Sequence, residues 1–156
     1  MKSILRKATL NDINLLIEIR IDFLKDGRTL SQNDERLIRA QLKTYFLKHI
    51  PDNTFVGIIA ESDGQHMGAA YLAISERPAN PSFISGVTGT ILNVYTYPEY
   101  RKKGLATKVI REIIEEAKQL GVSNLDLKAT PDGKHVYEKF GFKEESIFTA
   151  MGLGIS

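Results

Sequence analysis

Val94-Tyr95-Thr96-Tyr97-Pro98-Glu99-Tyr100-Arg101-Lys102-Lys103-Gly104-Leu105-Ala106-Thr107 joins a strand, a basic glycine turn and a helix start in one uninterrupted run. Ile91 to Thr96 is rich in β-branched and aromatic residues and reads as a strand, which Pro98 ends because proline has no N–H to give to a ladder. From Leu105 the pattern changes to a helical period. Ala106, Val109, Ile110, Ile113, Ile114, Ala117 and Leu120 fall on one face, with Lys108, Arg111, Glu112, Glu115, Glu116 and Lys118 on the other. The first turn of such a helix leaves N–H groups unpaired and carries roughly half a positive charge, so an anion set against Lys102 to Thr107 finds donors ready. Gly104 removes the Cβ that would hold a phosphate off the backbone, and Arg101, Lys102 and Lys103 add mobile positive charge around the mouth. The bland reading of Arg-Lys-Lys is a solvated surface run. The turn matches neither Gly-x-x-x-x-Gly-Lys-(Ser/Thr) nor Gly-x-Gly-x-x-Gly, which points away from nucleoside triphosphates and nicotinamide dinucleotides and toward some other phosphorylated ligand.

Working outward, Ser3 to Ala8 reads as an edge strand, and Thr9 or Asn11 caps a helix with Ile13, Leu16, Ile17, Ile21 and Leu24 at helical spacing, stopped by Gly27. Ser31 opens a second helix whose buried side is Leu37, Ile38, Leu42, Tyr45, Phe46 and Ile50, closed by Pro51-Asp52-Asn53. Thr54 to Glu61 and His66 to Ser75 form two strands around Asp63-Gly64, a hairpin signal. Glu76 to Gly89 reads as a long exposed loop, of the kind that carries specificity. Beyond the helix that starts at Leu105, Gly121 is a stop and Asn124 to Ala129 alternates as a strand. Thr130-Pro131-Asp132-Gly133 places an N-cap and a proline at the start of a short helix carrying Tyr137, and Phe142 to Leu153 reads as the last strand. The expected order is β-α-α-β-β-β-α-β-α-β.

Arg101-x-x-Gly104-x-Ala106, preceded by Pro98-Glu99-Tyr100, resembles the cofactor motif (Gln/Arg)-x-x-Gly-x-(Gly/Ala) of the GNAT superfamily of N-acetyltransferases. Val136-Tyr137-Glu138-Lys139-Phe140-Gly141-Phe142 is similar to that family's closing signature, and Ile4 to Thr9 followed by Asn11-Asp12-Ile13 to its usual opening. The resemblance covers nearly the whole chain. It implies an α/β fold with a mixed, mostly antiparallel sheet and helices on both faces, and acetyl-coenzyme A (acetyl-CoA) lodged where two parallel strands splay apart. The backbone of Val94 and Thr96 would pair with the pantetheine arm. Cofactor-binding residues would be Val94, Tyr95, Thr96, Arg101, Lys102, Lys103, Gly104, Leu105, Ala106 and Thr107, with Thr130 standing where many relatives carry an asparagine.

Acetyl transfer from a thioester to an amine needs a neutral nucleophile, a polarised carbonyl and a proton for the leaving thiolate. A backbone N–H near Val94 suits the carbonyl, being fixed in place before reaction. Tyr137, with an ordinary pKa of about 10, can protonate a thiolate of pKa about 8.5. The base is open, because no carboxylate lies between Gly89 and Pro98, where many relatives carry a glutamate. Water relayed by Asn93 and Tyr95 is one choice, and Glu18 or Asp22 from the first helix another. Arg20 either binds a substrate carboxylate or pairs with Glu18 or Asp22, the pairing being slightly favoured.

The chain of 156 residues, 42% hydrophobic and 26% charged, reads as one globular domain over 1–156. A net charge of +2 is too balanced for a nucleic-acid binder working through counterion release. Zero cysteines exclude disulfides and a thiol nucleophile, and three scattered histidines suggest no metal site. With no signal-peptide core and no spanning run, the expectation is a cytoplasmic protein without a membrane partner. The expected activity is direct acetylation of a small-molecule primary amine. Acetylation of a protein amine and a non-catalytic acyl-CoA sensor are the alternatives. The apolar run Ile147 to Leu153 suggests a strand covered by a second chain, and hence a homodimer.

Overall fold

The computed structural model describes residues 2–144 and 149–155. Five strands, β1 (Ile4–Lys7), β2 (Phe55–Ser62), β3 (Gln65–Glu76), β4 (Val87–Thr96) and β5 (Asn124–Asp126), lie side by side in chain order. The first three pairings are antiparallel and β4–β5 is parallel, so the sheet is mixed and mostly antiparallel. Helices α1 (Ile13–Lys25) and α2 (Gln32–His49) cover one face, where Leu16, Ile19 and Phe46 pack on Ile59, Tyr71 and Tyr95. Helix α3 (Leu105–Gln119) covers the other, setting Val109 and Ile113 on Ile58, Leu72 and Ile91. A short helix, α4 (Lys134–Glu138), follows β5.

Because the sheet is covered on both sides, β2 is buried at every position from Phe55 to Ala60 and shows no alternation. The Tyr71 hydroxyl, deep in the core, donates to the Leu16 carbonyl at 2.6 Å, which satisfies the phenol and ties β3 to α1. Asp63 and Gly64 have φ of 50° and 77°, the left-handed pair that a two-residue hairpin turn requires.

Several boundaries differ from the sequence reading. β4 begins at Val87 rather than Ile91, since Val87 to Gly89 pairs with Glu76 to Ile74 across the sheet. The expected loop therefore shrinks to 77–86, closed by the Arg77 N–H to Gly86 carbonyl bond at 2.7 Å. Leu37 is 52% exposed, because the buried side of α2 narrows to Leu42 and Phe46 where it meets α1. Ile19, outside the expected stripe, is fully buried, since α1 meets both α2 and the sheet. β5 stops at Asp126 instead of Ala129, and α4 starts at Lys134 instead of Pro131. Thr130 to Gly133 is a turn, in which the Gly133 and Lys134 N–H groups both bond the Thr130 carbonyl at 3.1 Å. The order agrees with expectation through α4. Of the expected last strand, Phe142 to Leu153, residues 142–144 and 149–153 carry no strand, and 145–148, with Ile147 and Phe148 of the apolar run, lie outside the described residues. No helix among the described residues is long and apolar enough to cross a membrane.

Candidate active site

β4 and β5 pair only over Thr88–Asn124, Gly89–Leu125 and Thr90–Asp126. The Thr90 hydroxyl donates to Asp126 at 2.6 Å and marks the last rung. β4 runs on to Thr96 while β5 stops, so among the described residues the far half of β4 has an edge with no strand beside it. A cavity of about 250 Å³ opens there, walled by Asn93 and Val94 of β4, Ala106 of α3, and Thr130 and Tyr137 from the segment after β5.

A bulge shapes the β4 wall. Tyr95 stands opposite Ala69 and Leu92 opposite Tyr71, so three steps along β4 face two along β3. The extra residue is accommodated at Asn93, which has φ 56°, a left-handed conformation uncommon outside glycine. Asn93 is 2% exposed; its Oδ1 accepts from Arg20 Nη1 at 3.4 Å, and its Nδ2 has no partner among the described residues. Opposite, the Tyr137 ring stands edge-on to Phe142 at 6.0 Å between centroids. Burial alone pushes the Tyr137 phenol above its ordinary pKa, so it holds its proton through the neutral range.

At the other end lies the start of α3. Lys102 and Gly104 have φ of 63° and 77°, and the first helical bond runs from the Lys108 N–H to the Gly104 carbonyl. N–H groups from Lys102 to Thr107 precede that bond and are left out of the helix ladder. Leu105 is buried and anchors the helix start in the core, while Lys102, Lys103 and Gly104 are exposed.

Three residues behave otherwise than the sequence suggested. Arg101 is not mobile charge at the mouth: its Nε donates to the Thr96 carbonyl at 2.8 Å, and its guanidinium lies 3.4 Å from Asp26 and 5.5 Å from the Tyr95 ring centre. That bond uses one of the two lone pairs of the Thr96 carbonyl, one of the groups expected to pair with a pantetheine arm. Tyr95 points to the opposite face, where it meets Phe23 and Tyr97 edge-on. Thr130 Oγ1 accepts from the Gly133 N–H at 3.2 Å, closing the turn before α4.

The base candidates from α1 are also engaged. Glu18 is ion-paired with Arg39, which holds its carboxyl below the usual range. Asp22 accepts from the Tyr97 hydroxyl at 2.6 Å, and burial together with that carboxylate pushes the Tyr97 phenol up. Arg20 pairs with neither, contrary to the favoured expectation; its only side-chain hydrogen bond among the described residues is to Asn93. Phe23, which the sequence reading did not single out, lines the cavity and lies 5.7 Å from the Arg20 guanidinium. No group of three or more acidic, histidine or cysteine side chains among the described residues is placed to hold a metal.

The profile described as the acetyltransferase (GNAT) family matches residues 17–142. A predicted acetyltransferase from Clostridium acetobutylicum, solved with acetyl-CoA, is 31% identical with a TM-score of 0.86, over 97% of this chain and 96% of that one. A GCN5-related N-acetyltransferase from Ralstonia eutropha has a TM-score of 0.84 at 22% identity over 99% of both chains, a likeness of fold. An uncharacterised N-acetyltransferase of Pyropia yezoensis is 34% identical over 58 residues, 37% of this chain and 33% of that one. That match takes in about a third of the relative's length.

Proposed function

The chain belongs to the acetyltransferase (GNAT) family, and from that premise we propose that residues 1–156 act as one domain that moves an acetyl group from acetyl-CoA to a small-molecule primary amine. The observation that carries this reading is the cavity at the β4–β5 splay, with Tyr137 on one wall and the open edge of β4 on the other. The N–H groups of Lys102 to Thr107, outside the helix ladder, suit a pyrophosphate, and the edge of β4 beyond β5 suits an extended amide-bearing arm. When bound, the donor supplies a thioester whose carbonyl carbon forms a bond to the amine nitrogen as its bond to sulfur breaks. A backbone N–H near Val94 polarises the carbonyl oxygen, and Tyr137 gives its proton to the departing sulfur. Solvent water takes the proton released by the amine, since Glu18 is held by Arg39 and Asp22 by Tyr97. A screen of primary amines with detection of the freed thiol tests the whole reading; release that never exceeds the amine-free control sinks it.

The pyrophosphate assignment has its own test. A Cβ at Gly104 meets no atom within 4 Å, so a larger side chain projects into the open mouth, while φ 77° makes any such replacement strained by about 1–2 kcal/mol. Gly104→Val is expected to weaken coenzyme A binding at least tenfold by calorimetry. Unchanged affinity places the site elsewhere.

We also infer a homodimer. Met151, Leu153 and Ile155 are 91%, 87% and 92% exposed, and β5 is an edge strand among the described residues, so apolar chain and strand backbone are both on offer to a second copy. Light scattering at micromolar concentration is expected to give about twice 17.5 kDa. A mass near 17.5 kDa rules the dimer out.

A further inference from the structure

We propose that the acceptor amine carries a carboxylate, held by the Arg20 guanidinium together with the Asn93 side-chain amide. The inference rests on the reading of this site as an acetyltransferase and names its substrate class. Arg20 is half-buried on α1, where it reaches Asn93 of β4, and no carboxylate among the described residues pairs with it. The acidic residues on either side of it along α1 have other partners: Glu18 pairs with Arg39, and Asp22 accepts from the Tyr97 hydroxyl. The Tyr71 phenol is kept neutral by burial and Arg28 carries the same charge as Arg20, so neither compensates it. A guanidinium is not deprotonated in proteins, so this position holds a half-buried positive charge with no carboxylate partner among the described residues.

An independent observation sits beside it. Asn93 Nδ2 is buried without an acceptor, on a residue whose left-handed backbone turns it out of the β4 ladder. The bond of 3.4 Å between Arg20 Nη1 and Asn93 Oδ1 holds the two side chains together. Both Asn93 and Phe23, the ring under Arg20, wall the cavity that ends at Tyr137. An unpaired cation and an unpaired amide donor side by side lack one thing, an acceptor carrying negative charge. One guanidinium fork with one amide matches a planar, singly charged carboxylate. This reassigns Asn93 from proton relay to acceptor binding.

The test uses matched pairs, amino acids against their decarboxylated amines, with phosphoethanolamine as a separate arm. Wild type is expected to favour the carboxylated member by about a hundredfold or more in kcat/KM, as a site built around a charged hydrogen-bonding partner does. Arg20→Met is expected to lower kcat/KM for the carboxylated amine at least tenfold more than for its partner, with coenzyme A affinity by calorimetry unchanged; Arg20→Lys restores part of the preference. Equal losses on both members, or a wild-type preference for the uncharged side, overturn the proposal. Preference for phosphoethanolamine over every carboxylated amine overturns the carboxylate assignment. If no amine is acetylated, the enzymatic reading fails separately, and calorimetry of the amino-acid panel on the coenzyme A complex decides this one: binding lost in Arg20→Met upholds it, and no binding to wild type overturns it.

Discussion

Tyr137→Phe is expected to lower the turnover number by about ten- to a thousandfold, the usual worth of a general acid, while coenzyme A affinity changes little. The substitution removes one oxygen and keeps the ring, so the contact with Phe142 and the cavity wall survive. Burial raises the phenol above its ordinary pKa of about 10, which keeps the acid form populated across the neutral range. The alkaline limb of kcat that belongs to Tyr137 should therefore lie above pH about 10 and vanish in the variant. Stopped-time assays of thiol release, run from pH 7 upward, read both effects. Full turnover in Tyr137→Phe would falsify the role.

Gly68→Ala is expected to destabilise the fold by about 2–3 kcal/mol, near the upper end of what overpacking a core costs. A Cβ on Gly68 would overlap the Tyr95 carbonyl oxygen and stand 3.1 Å from Thr96 Cα. Both obstacles are backbone of the paired strand, which cannot swing aside as a side chain can. Since Gly68 pairs with Thr96, just past the bulge at Asn93, relief requires β4 to move, and the cavity wall moves with it. Denaturation should show a lower urea midpoint with the same slope, and a melting temperature lower by about 4–12 °C. Gly152→Ala is the control, because nothing lies within 4 Å of a Cβ there. A Gly68→Ala midpoint equal to that of the control would show that the strand pair absorbs the methyl group.

Gly68 carries a sign in the sequence itself. An isolated glycine inside an otherwise apolar strand run marks a bulge or a close backbone approach, and His66 to Ser75 contains one. Asn93 carried a fainter sign, as a residue that tolerates left-handed φ in the middle of a β-branched run. Neither sign says which strand bulges. Phe23 carried no sign, because a phenylalanine on an amphipathic helix reads as core until the cavity beside it is seen.

What the chain alone determined is whatever depends on neighbours in sequence. α3, its open N-terminus and its buried stripe follow from a 3.6-residue period, and the Asp63-Gly64 hairpin from the backbone freedom of its turn residues. The family resemblance rests on the same local runs, around Gly104 and Tyr137. What the tertiary structure decided is who pairs with whom across long separations. Arg39 reaches Glu18 from another helix, Tyr97 takes Asp22, and Arg101 turns back to Thr96 and Asp26. A charged side chain meets several candidates of similar Coulomb energy in the unfolded chain, and only packing fixes which one lies within hydrogen-bond reach. The same holds for the bulge, since an extra residue in β4 exists only relative to the register of β3. Arg20 has no ion-pair partner among the described residues for that reason: the fold gives Glu18 and Asp22 to other partners and sets Arg20 beside Asn93 instead.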